Sequence, residues 1–241
     1  GFGAVTLQAS AVGATVTASF NAVAKSISAA RPVEYIAAGV SFTWNEEVGL
    51  VADGGPGAGV AVSWTGSPGI ELAPGQSMTD DAGDAQMLVT LGPLAAGDQA
   101  SGQACAWQGS PTGELCASLA AVGVGPEQWR LAVATGAGQT VGEAGTFAPV
   151  VVLVTDGSGH PVAGAQVTVH QTVDAAAMPC PARGACPAAL RLGGSQETLV
   201  SDANGQVSVT PMQIAGTAEV TNIAAAAGTQ GFVSLSIVQG P

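Results

Sequence analysis

Val150-Val151-Val152-Leu153-Val154-Thr155-Asp156, the turn Gly157-Ser158-Gly159, and then Pro161-Val162-Ala163-Gly164-Ala165-Gln166-Val167-Thr168-Val169 decide the fold. A β-branched run stops on an aspartate followed by glycine, and a glycine-containing bend launches a second run whose valines alternate with polar residues. Alternation of period two marks a half-buried strand, and Asp-Gly clusters supply the turn conformations between strands. The same order of elements occurs earlier as Val48-Gly49-Leu50-Val51-Ala52-Asp53, a glycine turn, and Gly57-Ala58-Gly59-Val60-Ala61-Val62-Ser63-Trp64. Downstream, Ser201-Asp202-Ala203-Asn204-Gly205-Gln206-Val207 matches Thr79-Asp80-Asp81-Ala82-Gly83-Asp84-Ala85.

Working outward, the alternation recurs at Met87, Val89 and Leu91, at Trp129, Leu131 and Val133, and at Val233, Leu235 and Ile237. Helical periodicity is almost absent. Short strands with turn signals every eight to twelve residues or so predict an all-β protein made of tandem immunoglobulin-like β-sandwiches. One module is expected over residues 29–123 and another over 124–241. A closing hairpin is read three times: at Val5–Ala9 with Ala14–Phe20, at Ser101–Cys105 with Gly113–Leu119, and at Val220–Ala224 with Gly231–Ile237. Residues 1–28 therefore read as the closing hairpin of a preceding module, or as strands docked on the next one. Ala121–Pro126 is a short, proline-stiffened connection, which predicts modules held end to end.

Residues 150–169 and 198–207 resemble the bacterial Ig-like domains of group 1 found in intimin and invasin-type adhesins. In that family a strand ending in Val-Thr-Asp leads to a Pro-Val-Ala-Gly bend, and a turn of the Asp-Ala-Asn-Gly kind precedes a later strand. The resemblance covers 129–238 well and 31–122 less well, where Asp80-Asp81-Ala82-Gly83-Asp84 lacks the asparagine. It implies a stalk or adhesive array. Two features depart from the family: the cysteine pairs, and what reads as an insertion near 173–197.

The composition excludes several classes of function. Aromatic residues are only 4% while hydrophobic residues are 47%, mostly Ala and Val, so the cores must be thin. No apolar run approaches the roughly 20 residues that cross a bilayer. A net charge of -12 from 5 basic and 17 acidic residues repels nucleic acid and anionic lipid. No signal-like stretch follows Gly1, so any secretion signal is expected upstream or already removed.

Cys105 and Cys116, and Cys180 and Cys186, form two close pairs without zinc-ligand spacing, which reads as two local disulfides and an oxidising, extracellular or cell-surface location. Cys105 and Cys116 fall on facing strands of a closing hairpin, with Ala9 and Thr17, and Ala224 and Ser234, as counterparts. The second pair staples a proline-flanked loop that carries Arg183, with Arg191 just beyond it. That loop is the candidate binding loop. The acidic turns read as side chains capping their own bends, not as calcium loops.

Only His160 and His170 could serve a nucleophile, and no Gly-x-Ser-x-Gly elbow is present, so no catalytic residue, metal or cofactor is assigned. His170 reads as a strand residue facing solvent. Trp44, Trp64, Trp107 and Trp129 are expected to fill the cores. The favoured function is a non-catalytic stalk or adhesive region of a bacterial secreted or cell-surface protein, with neighbouring modules as its partners. The rivals are a module that binds carbohydrate or a host protein, and accessory domains of a large secreted hydrolase.

Overall fold

The structure is a computed structural model, which describes residues 4–11, 14–21, 24–53, 55–73, 75–107, 113–142, 145–175, 190–214 and 218–240. Among them no helix is long and apolar enough to cross a membrane. The chain divides into two compact units. One comprises residues up to Glu34 with Gly39–Leu94 and Asp98–Val122. The other comprises Tyr35–Ala38, Ala95–Gly97 and everything from Gly123 onward. The four residues Tyr35–Ala38 thus count with the second unit although they lie inside the span read as the first module.

Strands β1 (Ala4–Ala11) and β2 (Ala14–Asn21) form a hairpin that pairs only with itself among the described strands. The register sets Ala9 opposite Val16, one residue from the pairing with Thr17 expected by analogy.

The first sandwich contains β3 (Ala24–Ala29), β4 (Val33–Ala37), β5 (Phe42–Ala52), β6 (Gly55–Pro56), β7 (Ala61–Gly66), β8 (Ile70–Ala73), β9 (Gln76–Met78), β10 (Asp84–Leu91), β11 (Gln99–Trp107) and β12 (Glu114–Val124). One sheet runs β3-β5-β10-β8 and the other β4-β12-β11-β7-β9. Apart from β4 and β9 at its rims, this is the order of a constant-type immunoglobulin sandwich, four strands against three. Inward positions interleave between the sheets: Val48, Val62, Ala85, Val89 and Ala104 are buried around Trp64 and Met87. Ala and Val let the layers approach closely, and the one tryptophan and one methionine fill what the small residues leave.

After a 3-10 turn at Pro126–Gln128, the second sandwich contains β13 (Arg130–Thr135), β14 (Thr140–Val141), β15 (Val150–Thr155), β16 (Gln166–Ala175), β17 (Arg191–Val200), β18 (Gln206–Val209), β19 (Glu219–Ala227) and β20 (Gly231–Gln239). Its sheets are β13-β15-β18 and β14-β20-β19-β16-β17, with β14 parallel to β20. Val150, Val152 and Val154 point inward from β15, opposite Val167 and Val169 of β16 and Ile223 and Ala225 of β19. The protein is therefore all-β, with an immunoglobulin-like sandwich in each unit.

A frame of hydrogen bonds is built twice. Thr79 donates its hydroxyl to Gly57 O at 2.6 Å and accepts from Val60 N at 2.8 Å. Ser201 does the same with Val162 O at 2.7 Å and Ala165 N at 2.9 Å. Gly59 N donates to Thr79 O as Gly164 N donates to Ser201 O, and Leu50 N reaches Gly83 O as Val154 N reaches Gly205 O. These pairs place Val60 in the role of Ala165 and Gly83 in the role of Gly205. Gly83 and Gly205 both have positive φ, and a Cβ at either would strike the carbonyl oxygen of Leu50 or Val154. Glycine is required there on two counts at once.

Candidate binding face

The acidic turns are local caps. Asp80 Oδ1 accepts from Ala82 N and Asp84 N, Asp202 Oδ1 from Asn204 N and Gln206 N, and Asp156 Oδ1 from Ser158 N and His160 N. At Asp156 the second oxygen lies 3.0 Å from His160 Nδ1, and the imidazole stacks on Tyr35 with centroids 4.2 Å apart. Burial pushes the Asp156 carboxyl up, but the His160 and Ser158 bonds outweigh it and hold the group below the usual carboxylate value. Glu46 is the opposite case. Burial raises it, against bonds from the Trp44 indole and the Arg31 N–H.

Cys105 and Cys116 are bonded and stand opposite each other in the β11–β12 ladder. Glu114 approaches both sulfurs to within 4.8 Å, yet sulfurs bonded to each other are not thiolate ligands. Cys180, Cys186 and Arg183 lie outside the described residues. Arg191 begins β17, exposed and opposite Asp174. Of the span 173–197 read as an insertion, β16 continues to Ala175 and β17 starts at Arg191. Gly193 and Gly194 sit inside β17. A Cβ on Gly194 would come within 3.0 Å of Gln171 O, so the glycine lets the strand lie close to its neighbour.

The tryptophans divide. Trp64 and Trp129 are buried and Trp44 packs against the first core, but Trp107 is 60% exposed and corrects the expectation that all four fill cores. The sequence held the signal: Trp107 falls in step with Ser101 and Gln103, polar residues of the same strand, and alternate positions of a strand share a face. His170 is a mid-strand residue facing outward on β16.

The outward face of the second unit's larger sheet can be read in rows across the strands. Gln196, His170, Ala224 and Ser234 stand side by side, followed by Gly194, Thr172, Asn222 and Ser236. Asn222 donates to Asp174 Oδ2 at 3.0 Å and accepts from Ser236 Oγ at 2.6 Å, which fixes the orientation of its amide. Ala224 is small between larger neighbours, and a groove of about 310 Å³ lies over these two rows. Phe232, 64% exposed, stands one row away beside Ala226.

The first unit carries a groove of about 280 Å³ on the corresponding face, over Thr65, Gln103 and Ser118 in one row with Ser67 and Ser101 beside it. Ser67 Oγ accepts from Ser101 N at 3.0 Å. Carrying the frame along β7 and β16 sets Val60 with Ala165, hence Thr65 with His170 and Ser67 with Thr172. Ladder partners then set Gln103 with Ala224 and Ser118 with Ser234. The two grooves thus occupy the same positions of the fold. The same correspondence sets Cys105 and Cys116 with Ala226 and Phe232, not with Ala224 and Ser234 as the sequence alignment had it. Sequence reasoning missed both grooves, since their residues are ordinary hydroxyls and amides brought together only by strand register.

No family model matches the chain, and no curated protein matches it. Among solved structures it is similar to the D0-D1 domain of Intimin, at 18% identity over 90% of this chain and 99% of that one, with a TM-score of 0.32. It is similar to the Yersinia pseudotuberculosis adhesin InvE at 19% identity over 89% of this chain and 58% of that one, TM-score 0.36. It is also similar to the native conformation of E. coli alpha-2-macroglobulin, at 13% identity over 98% of this chain and 16% of that one, TM-score 0.35.

Proposed function

We propose that the chain is a non-catalytic structural or adhesive segment of a bacterial secreted or cell-surface protein, a stretch of modules that spaces and presents surfaces. The observation that carries this is the hydrogen-bond frame built twice, with Thr79 and Ser201 at its two centres. Repeating a self-sufficient scaffold along a chain extends it without adding a reaction centre. The Cys105–Cys116 bond, which fastens the closing hairpin of the first unit, supports a location where disulfides persist.

Pulling the chain by its ends in a single-molecule experiment tests the reading. Two separate unfolding events are expected. At roughly 3.5 Å per residue, the event of the first unit should release about 40 Å less under oxidising conditions, because the disulfide locks about eleven residues out of the extension, and reductant should restore that length. One merged event, or an extension indifferent to reductant, would overturn the proposal. So would free thiols at Cys105 and Cys116 in protein recovered from its native cell.

A further inference from the structure

We infer that the two matching grooves are binding sites for a neutral, polyhydroxylated polymer: one glycan-binding groove on the outward face of each unit. The inference deepens the adhesive side of the proposed function. Its first support is recurrence. Thr65, Ser67, Gln103 and Ser118 occupy the same fold positions as His170, Thr172, Ala224 and Ser234, and both sets line a concavity of similar size. Surface positions of two modules are free to differ, and here the hollow is kept while the framework strands on either side differ in sequence.

Its second support is chemistry. In a chain of net charge -12, neither groove is lined by a carboxylate or by a lysine or arginine. The polar lining is hydroxyl and amide, with His170 as the one titratable side chain. Such a surface gives and accepts hydrogen bonds without demanding a counter-charge, which matches the hydroxyls of a neutral sugar and not a phosphorylated or sulfated one. Asn222 is already oriented by Asp174 and Ser236, and in the first unit the Cys105–Cys116 bond fastens the two central strands beside the groove, so little order is lost when a ligand binds. Each face also carries one exposed ring, Trp107 or Phe232, and such rings offer an apolar plane to the C–H side of a pyranose. The hollows are shallow and open, so affinity per groove should fall near the millimolar end of the range and gain from engaging a long polymer.

The test is NMR titration of the whole ¹⁵N-labelled chain with maltopentaose, cellopentaose, mannopentaose and chitopentaose, backed by dextran sulfate as a charged comparison. At least one neutral pentasaccharide is expected to shift the amides of Thr65, Gln103 and Ser118 together with those of Thr172, Ala224 and Ser234. Ala224→Arg should weaken binding at the second groove at least tenfold and leave the first unchanged, and Gln103→Arg should do the reverse. Both substitutions are on outward-facing strand positions, Gln103 exposed and Ala224 half-buried, and an unaltered spectrum elsewhere confirms folding. The inference fails if no neutral sugar moves these amides, if only dextran sulfate does, or if the double variant binds as well as the parent. The pulling experiment depends on none of these side chains, so the structural reading and the glycan reading can fail separately.

Discussion

Gly205 and Gly138 form a matched pair that separates two reasons for a glycine. Their φ angles are +69° and +66°, so alanine at either meets the same left-handed penalty, about 1–2 kcal/mol. A Cβ at Gly138 meets nothing within 4 Å, whereas at Gly205 it would fall on Val154 O, with Val162 N and Pro161 Cβ both 3.1 Å away. Val154 O cannot simply retreat, because it accepts from Val162 N at 3.0 Å while Val154 N donates to Gly205 O at 2.7 Å. Moving it strains two ladder bonds and the β15 backbone. Overpacking of this kind costs about 1–3 kcal/mol beyond the dihedral term, with up to about 1 kcal/mol more for a weakened bond.

Gly138→Ala should therefore cost about 1–2 kcal/mol and Gly205→Ala about 2–6 kcal/mol, an excess of about 1–4 kcal/mol or several degrees in melting temperature for a domain of this size. Urea denaturation gives the totals, and hydrogen exchange read on peptides covering Val150–Val169 assigns the loss to the second unit. Gly83 and Gly75 repeat the comparison in the first unit: φ is +88° and +85°, with Leu50 O 2.6 Å from the added Cβ in one case and open space in the other. If the two members of each pair lost equal stability, the close approach would not be what holds glycine at these turns, and the shared frame would lose its physical basis.

Replacing Cys105 and Cys116 by serine should lower the stability of the first unit by about 3 kcal/mol from released loop entropy and leave the second unit's transition in place, as followed by calorimetry with and without reductant. Glu219 is fully buried on β19, with Oε1 accepting from Ile214 N at 2.8 Å and Oε2 without a partner among the described residues. Glu219→Gln keeps that acceptor, takes away a buried carboxyl oxygen that has no partner among the described residues, and should raise the melting temperature. Asp156 lies below its unfolded value near 3.8, so its contribution is complete above that pH and is lost as pH falls through the folded value; Asp156→Asn should flatten the acid limb of the second unit's melting profile. Glu46 is raised above its unfolded value near 4.5, so its contribution is complete below that pH and is lost as pH rises through the folded value; Glu46→Gln should remove that loss in the first unit.

The turns were legible because their chemistry is local. In Asp202-Ala203-Asn204-Gly205 the aspartate caps N–H groups two and four residues on, and the glycine takes the one conformation that closes the bend, so spacing alone carries the information. The pairing of Cys105 with Cys116 was legible for the same reason, being internal to one hairpin. The grooves were not, because Thr65, Gln103 and Ser118 meet only after three strands have taken their register, and nothing in a lone threonine or glutamine announces its neighbours. Trp107 was misplaced by weighing residue type above strand parity, where an outward face overrode the average behaviour of the residue.

The two sandwiches diverge at one point, and that point widens the second face. Gly66 in the first unit corresponds to Gln171 in the second. After Gly66 the chain reaches Pro68, which has no N–H to give a ladder, and turns with Ile70 N on Ser67 O at 3.1 Å. It then crosses to the opposite sheet, where β8 pairs with β10. The second unit has Val173 in place of Pro68, so β16 runs four residues further, to Ala175, and the returning strand β17 pairs with β16. The second unit, with an N–H at this position, keeps β17 on β16 and sets Gly194 and Gln196 in the outward rows beside Thr172 and His170. The first unit has only the short β9 beside β7, where Gln76 pairs with Ser63 as Thr198 pairs with Thr168. The second groove accordingly continues onto a longer neighbouring strand than the first, and a polymer bound there should make the longer run of contacts.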